Sequence, residues 1–395
     1  MKFIAKTYSG LEELLAEELH GLGASAIELH DKAVHFTAKP EFITLANVHL
    51  RTALAILIPI CSFRFASYAD LIRKIEREKL HQYLTAGKTF AFKGSVKSSQ
   101  IRGEKNFLPE LEEKITNEFT DQTGETISAN QDKPAVLFDF FITEQECTIS
   151  RNSSGAPLYQ RGYRSQSGNP NLNEIISAAL VLLSGWDKKS HFIHAGCEKG
   201  TVIAEAALIA NDIPALINRK TFAFKNWPGF DEIQWQNKLE ALPKIPVKNP
   251  PFEITGLNLE ADDVKDAREN LRPLPVGKSV KIEAIRLDEL TPTGNGIVLF
   301  TFTLKEDPRL EPEQKSSLVN LLQNKFHSYT LCVYQLDEME DIFEVFKPVK
   351  SHRFFNGTVW CRFTCYQIPS PEKKESTNST INTRRQPKRF EKNKK

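Results

Sequence analysis

Residues 190–201, Ser-His-Phe-Ile-His-Ala-Gly-Cys-Glu-Lys-Gly-Thr, constrain the fold of this chain more than any other stretch. The apolar pair Phe192-Ile193 runs into a turn of small residues, and the turn opens into a long apolar helix, Val202 to Ala210. Strand, tight turn and helix in that order form the unit that cradles a nucleotide cofactor in open α/β sheets. The unpaired N–H groups at the helix start attract the ligand, and glycines let the backbone touch it. Here two charged residues, Glu198 and Lys199, stand in the middle of the turn. Whether cofactor chemistry survives depends largely on them.

The surrounding pattern divides the 395 residues into four regions. Residues 1–65 mix short strands with amphipathic helix: Phe3–Thr7 and Ala33–Thr37 read as strands, Leu11, Leu14, Leu15 and Leu19 fall at helical spacing, and Phe42–Ile58 contains a second helix. The run Ala53–Ser62, broken by Pro59, reads as core. Residues 66–155 continue as α+β, with helices over 68–84 and 108–119, a strand over 89–97 that runs into a basic loop, and paired strands over 135–142 and 146–150. The stretch Asn152-Ser-Ser-Gly-Ala-Pro157 is a break. Beyond it, over 156–369, strands and helices alternate as in a doubly wound sheet.

The last region, 370–395, explains why a net charge of +2 is misleading. Residues 371–395 hold nine Lys/Arg against three Glu, a surplus of six positive charges, which leaves the rest of the chain acidic by four. So polar a segment cannot bury enough surface to fold alone, and a flexible cationic tail suits a polyanion such as RNA. No apolar run approaches the roughly 18 residues of a membrane span, and Met1–Thr7 is too short and polar for a signal peptide. The six cysteines show no Cys-x-x-Cys pair and no ligand spacing with histidine, so they read as reduced core thiols of a cytoplasmic protein, with no metal site.

Several motifs lie in a recognisable order: Leu50-Arg-Thr-Ala53, Phe92-Lys-Gly-Ser95, Leu158-Tyr-Gln-Arg-Gly-Tyr-Arg164, Asn171-Leu-Asn-Glu174, Phe222-Ala-Phe-Lys-Asn-Trp-Pro228 and Phe354-Phe-Asn-Gly357. With them, residues 1–368 resemble the THUMP-containing RNA methyltransferases. The branch they resemble is that of the 23S rRNA guanine-N2 enzymes, often labelled N6-adenine-specific DNA methylases. The resemblance implies an α/β fold: a Rossmann-like methyltransferase domain (156–369) preceded by α+β ferredoxin-like (1–65) and THUMP (66–155) regions, followed by a disordered basic tail (370–395). It implies S-adenosyl-L-methionine as cofactor and RNA, large-subunit rRNA or its precursors, as partner.

Carried over residue by residue, the resemblance places the cofactor at His194, Gly196, Cys197, Glu198, Gly200, Asn258 and Glu260. The family's turn reads Asp-Pro-x-Cys-Gly-Ser-Gly-Thr, and only Cys197, Gly200 and Thr201 match it. Its ribose motif Gly-Ser-Asp-x-Asp meets Gly256-Leu-Asn-Leu-Glu260. Its amine-accepting Asn/Asp-Pro-Pro-Tyr/Phe follows the fourth strand, where this chain has Thr301-Phe302-Thr303-Leu304. No amide or proline stands there to accept hydrogen bonds from a flipped base. Asn249-Pro-Pro-Phe252 matches that motif by letter but precedes a strand, so it reads as a loop.

Contacts to RNA are expected from Lys93, Lys97, Arg102 and Lys105 in the THUMP loop and from Arg161 and Arg164 at the domain junction. Three functions follow from these residues: an RNA-binding pseudo-methyltransferase, an active methyltransferase with divergent motifs, or a protein-interaction scaffold.

Overall fold

The structure is a computed structural model, and it describes residues 1–99, 101, 107–164, 172–242, 252–303 and 311–369. The tail, Arg102, Lys105, Leu304 and residues 249–251 lie outside the described residues.

The first half of the chain builds β1 (Lys2–Lys6), α1 (Glu12–Gly21), β2 (Ser25–His30), β3 (Ala33–Thr37), α2 (Phe42–His49), β4 (Ala55–Arg64), α3 (Tyr68–Arg77), β5 (Thr89–Val96), α4 (Phe107–Thr123), β6 (Ser128–Ala129), β7 (Val136–Ile142) and β8 (Glu146–Asn152). All eight strands join one sheet in the order β2-β3-β1-β4-β8-β7-β5-β6. β4 makes it continuous: residues 55–57 pair with β1 and residues 57–64 with β8. The second helix therefore ends at His49, and the apolar run after it is strand. Proline lacks an N–H for the ladder, and the register shifts between Pro59 and Cys61. One face of the sheet buries two cores, Phe3, Val34, Phe36 and Ile56 under α1 and α2, and Phe90, Phe92, Phe138 and Ile149 under α3 and α4.

The second half builds α5 (Glu174–Leu183), β9 (His191–Ala195), α6 (Thr201–Ala210), α7 (Glu232–Glu240), β10 (Ile254–Leu257), α8 (Ala261–Leu271), β11 (Lys281–Glu283), β12 (Gly296–Thr301), α9 (Pro312–Lys325), β13 (Tyr329–Leu336), β14 (Lys347–Phe355) and β15 (Trp360–Gln367). Its sheet runs β11-β10-β9-β12-β13-β15-β14, parallel except for β15, which is antiparallel to both neighbours. Helices cover both faces, so the parallel strands read as continuous apolar runs such as Ile297-Val298-Leu299. Asn173 starts α5 by accepting a hydrogen bond from Ile176 N–H at 3.0 Å.

The halves share apolar packing, with Leu11 and Leu14 in the core of the second half and Phe222 and Trp235 in that of the first, and polar contacts add to it. Phe355 N–H donates to Ser9 C=O at 2.8 Å, and Asn173 Nδ2 donates to the Tyr8 hydroxyl at 3.0 Å. Gly10, at φ +91°, has no alternative residue here, since a Cβ would sit 2.5 Å from the Arg353 carbonyl oxygen. Beneath them the fully buried Arg161 spans the junction. Its Nε lies 3.3 Å from Glu205 Oε1, one Nη donates to Leu158 C=O at 2.8 Å and the other donates to Arg51 C=O.

Candidate cofactor site

From β9 the chain winds one way to β10 and β11 and the other way to β12 and β13. The crevice above the carboxyl ends of β9 and β12 is therefore the topological switch point, where ligands bind in open α/β sheets. The turn after β9 lies in that crevice. Both Gly196 N–H and Cys197 N–H donate to Leu257 C=O, at 2.9 and 2.8 Å, which ties the turn to the end of β10.

Three alternate residues of the turn adopt left-handed backbone: Gly196 at φ +77°, Glu198 at +42° and Gly200 at +76°. Glycine visits this region freely, whereas a side chain there is strained by about 1–2 kcal/mol. Gly200 precedes α6 and leaves no space, because a Cβ would meet Ala267 Cβ at 3.0 Å. Gly196 faces open space, with nothing within 4 Å of where a Cβ would be. Glu198 is the exception to glycine chemistry in this alternation. Its Oε1 accepts from Thr303 Oγ1 at 3.4 Å, which links the turn to the segment after β12 across the crevice.

The neighbouring side chains are also engaged. His194 is 2% exposed, and its Nε2 lies 3.1 Å from Thr301 Oγ1, while Nδ1 has no hydrogen-bond partner. Burial pushes its pKa down to about 3, so the ring is neutral at physiological pH. Cys197 packs on Gly256, where an added Cβ would lie 2.9 Å from the sulfur. Burial raises its thiol to about 12, which removes it as a nucleophile. Lys199, beside Glu198 in the turn, places Nζ 3.8 Å from Asp266 Oδ2. Asn258 donates to Asp263 Oδ2 at 3.1 Å and accepts from Glu260 N–H at 3.0 Å, while Glu260 is exposed at the start of α8.

After β12, Phe302 N–H donates to Tyr334 C=O at 2.8 Å, and the Phe302 ring stacks on Phe300 with centroids 6.2 Å apart. Thus His194, Gly196, Cys197, Glu198, Gly200, Asn258, Thr301, Phe302 and Thr303 gather at one crevice. The backbone frame fits a nucleoside cofactor: a free helix start, two left-handed glycines and room beside Gly196. The side chains depart from the set that the resemblance calls for. A carboxylate bridges the crevice, and the Asn258 amide is spent on its own helix start. Among the described residues no cluster of three His, Cys, Asp or Glu groups is placed to hold a metal.

Residues 161–300 match the family described as RMKL-like, methyltransferase domain, and residues 2–57 match the RlmL ferredoxin-like domain. The chain carries a Rossmann-like methyltransferase fold behind a ferredoxin-like domain. Solved structures similar to it include SMU.472 complexed with SAH (TM-score 0.79, 22% identity, 94% of this chain and 99% of that one). Others are a predicted N6-adenine-specific DNA methylase from Listeria monocytogenes (0.78, 21%, 94% and 96%) and TrmN from Thermus thermophilus (0.63, 16%, 93% and 99%). Identities this low speak for the fold.

The residues expected to meet RNA separate. Lys93 and Lys97 are exposed at the far sheet, on and just beyond β5, with Lys97 Nζ 3.9 Å from Asp31 and over the Phe141 ring at 5.3 Å. Arg161 is a correction: it is fully buried against Glu205 and reaches no surface. Arg164 is mostly buried, its Nε 3.6 Å from Glu174 Oε1. Sequence reading missed the role of Arg51, whose Nη2 donates to Ile213 C=O at 2.6 Å and whose Nη1 lies 3.6 Å from Glu205. Nothing local signals this, since Arg51 and Glu205 are brought together only by folding.

Proposed function

We propose that this chain is an RNA-binding member of the THUMP rRNA guanine-N2 methyltransferase type in which methyl transfer is lost or strongly weakened. Residues 66–155 act as the THUMP domain, large-subunit rRNA or its precursors are the partner, and the protein works in the cytoplasm. The observation that carries this reading is Glu198: a strained, left-handed residue at the position where the resemblance calls for glycine, with its carboxylate held across the crevice. The hydroxyls of Thr301 and Thr303, where the resemblance calls for an amide and a proline, add to it.

A specific observation favours the second reading, an active enzyme: the frame of the turn is intact and space remains beside Gly196. SMU.472, the similar structure, holds SAH. Calorimetry with S-adenosyl-L-methionine separates the two. The pseudoenzyme reading expects no heat from the wild type at millimolar cofactor and measurable binding by Glu198→Gly. Micromolar binding by the wild type, with methyl transfer to large-subunit rRNA fragments, would overturn it.

A further inference from the structure

We propose that a groove at the domain junction, between residues 156–164 and the loop 217–221, holds the phosphodiester backbone of bound RNA. The proposal rests on the RNA-binding reading and names a surface for it away from the cofactor crevice.

Two cavities, of about 580 and 640 Å³, adjoin here and share Gly162, Asn218, Arg219 and Lys220 as walls. Besides Arg161, whose charge is spent on the buried Glu205, their walls hold four cationic side chains, Arg164, Arg219, Lys220 and Lys225, against one carboxylate, Glu174. The charges are built into the fold. Arg219 is 8% exposed, and its guanidinium donates to the carbonyls of Ser154, Ala156, Pro157 and Thr221 at 2.7–2.9 Å. Main-chain carbonyls hold it in place without cancelling its full charge. Burial lowers its pKa only to about 10, so it stays cationic at neutral pH.

Lys220 is exposed on the rim, and Lys225, 3.2 Å from Glu232, is at the mouth of the second cavity. The one carboxyl in the cavity walls is weak. Glu174 is 2% exposed, faces Arg164, and burial pushes its pKa up to about 7. One Nη of Arg164 is buried without a partner. A concave wall of one sign focuses its field and draws a polyanion. Trp235 is 4% exposed and offers no open face to a base, and Tyr159, half-buried, lines the first cavity. The cationic lining therefore suits phosphates.

The test is fluorescence anisotropy of the full-length protein with a labelled stem-loop RNA between 50 and 200 mM salt. Lys220→Glu combined with Lys225→Glu is expected to raise Kd at least tenfold at the low-salt end. The log Kd against log salt slope should flatten by about 1–2, given roughly 0.7–0.9 per phosphate contact. Lys220→Arg should bind like the wild type, and so should Lys188→Glu, whose lysine pairs with Asp212 outside the groove. Circular dichroism verifies that each variant is folded. Unchanged affinity and slope in the double variant, or an equal loss in Lys188→Glu, would overturn the groove. If the wild type binds and only neutralising Lys93 and Lys97 weakens it, the groove fails while the RNA-binding reading stands. A wild type that retains no RNA removes both.

Discussion

Glu198 and His194 show what single residues contribute here. Glu198 holds a backbone conformation that glycine would adopt without strain. Replacing it by glycine should stabilise the protein by about 1 kcal/mol, less the entropy that glycine adds to the unfolded chain. The measurement is the midpoint of thermal unfolding, and a lower midpoint for Glu198→Gly would show that the Thr303 contact outweighs the strain.

His194 makes the stability depend on pH. Its folded pKa, about 3, lies below the ordinary value of 6.5. Its contribution is therefore fully present above pH 6.5 and is lost as pH falls toward 3, because only the unfolded chain takes up the proton. Between pH 6.5 and 5 this amounts to about 2 kcal/mol. Glu174, raised from 4.5 to about 7, acts in the opposite sense: its contribution is present at low pH and is lost as pH rises to 7. The two overlap, so the difference between wild type and His194→Gln isolates the histidine. Urea unfolding at pH 7 and pH 5 should show a smaller acid loss in the variant. An equal loss would mean that His194 is not the group responsible.

Among the elements, the turn before α6 was legible because its chemistry is local. A left-handed residue ahead of a helix must lack a Cβ where a neighbour is close, and Gly200 meets Ala267 there. Gly200→Ala should cost about 1–3 kcal/mol through backbone strain and contact together, read as a fall in the urea midpoint. An unchanged midpoint would mean that α6 and α8 separate easily. The segment 42–58 was less legible. Its apolar residues come in runs that satisfy helical and strand spacing equally, so the change at Leu50 from helix to β4 is visible only once β1 and β8 flank the strand.

At the scale of the whole molecule, long-range contacts decide what local pattern leaves open. The sheet of the N-terminal half passes through the boundary drawn at residue 65, because β4 is long enough to serve both β1 and β8. The junction is locked by charges that are largely buried. Arg161 and Glu205 are both fully buried, and Arg51 joins them. Removing one partner strands the other, which costs about 3–5 kcal/mol. Arg161→Ala should therefore unfold at a distinctly lower temperature than the wild type, and Arg161→Ala/Glu205→Leu should recover part of the loss. A single variant as stable as the wild type would mean that Glu205 finds water or protonates at little cost.

The sequence alone determined the alternation of strands and helices, the turn at 194–201 and its departure from glycine chemistry, since each depends on residues close along the chain. Tertiary structure decided the rest. Folding brought Thr303 opposite Glu198 and Thr301 opposite His194, turned Lys199 toward Asp266, and buried Arg161 where sequence placed it on the surface. The physical reason is the same in each case. A charge or hydroxyl has many possible partners along the chain, and only close packing selects which one it meets.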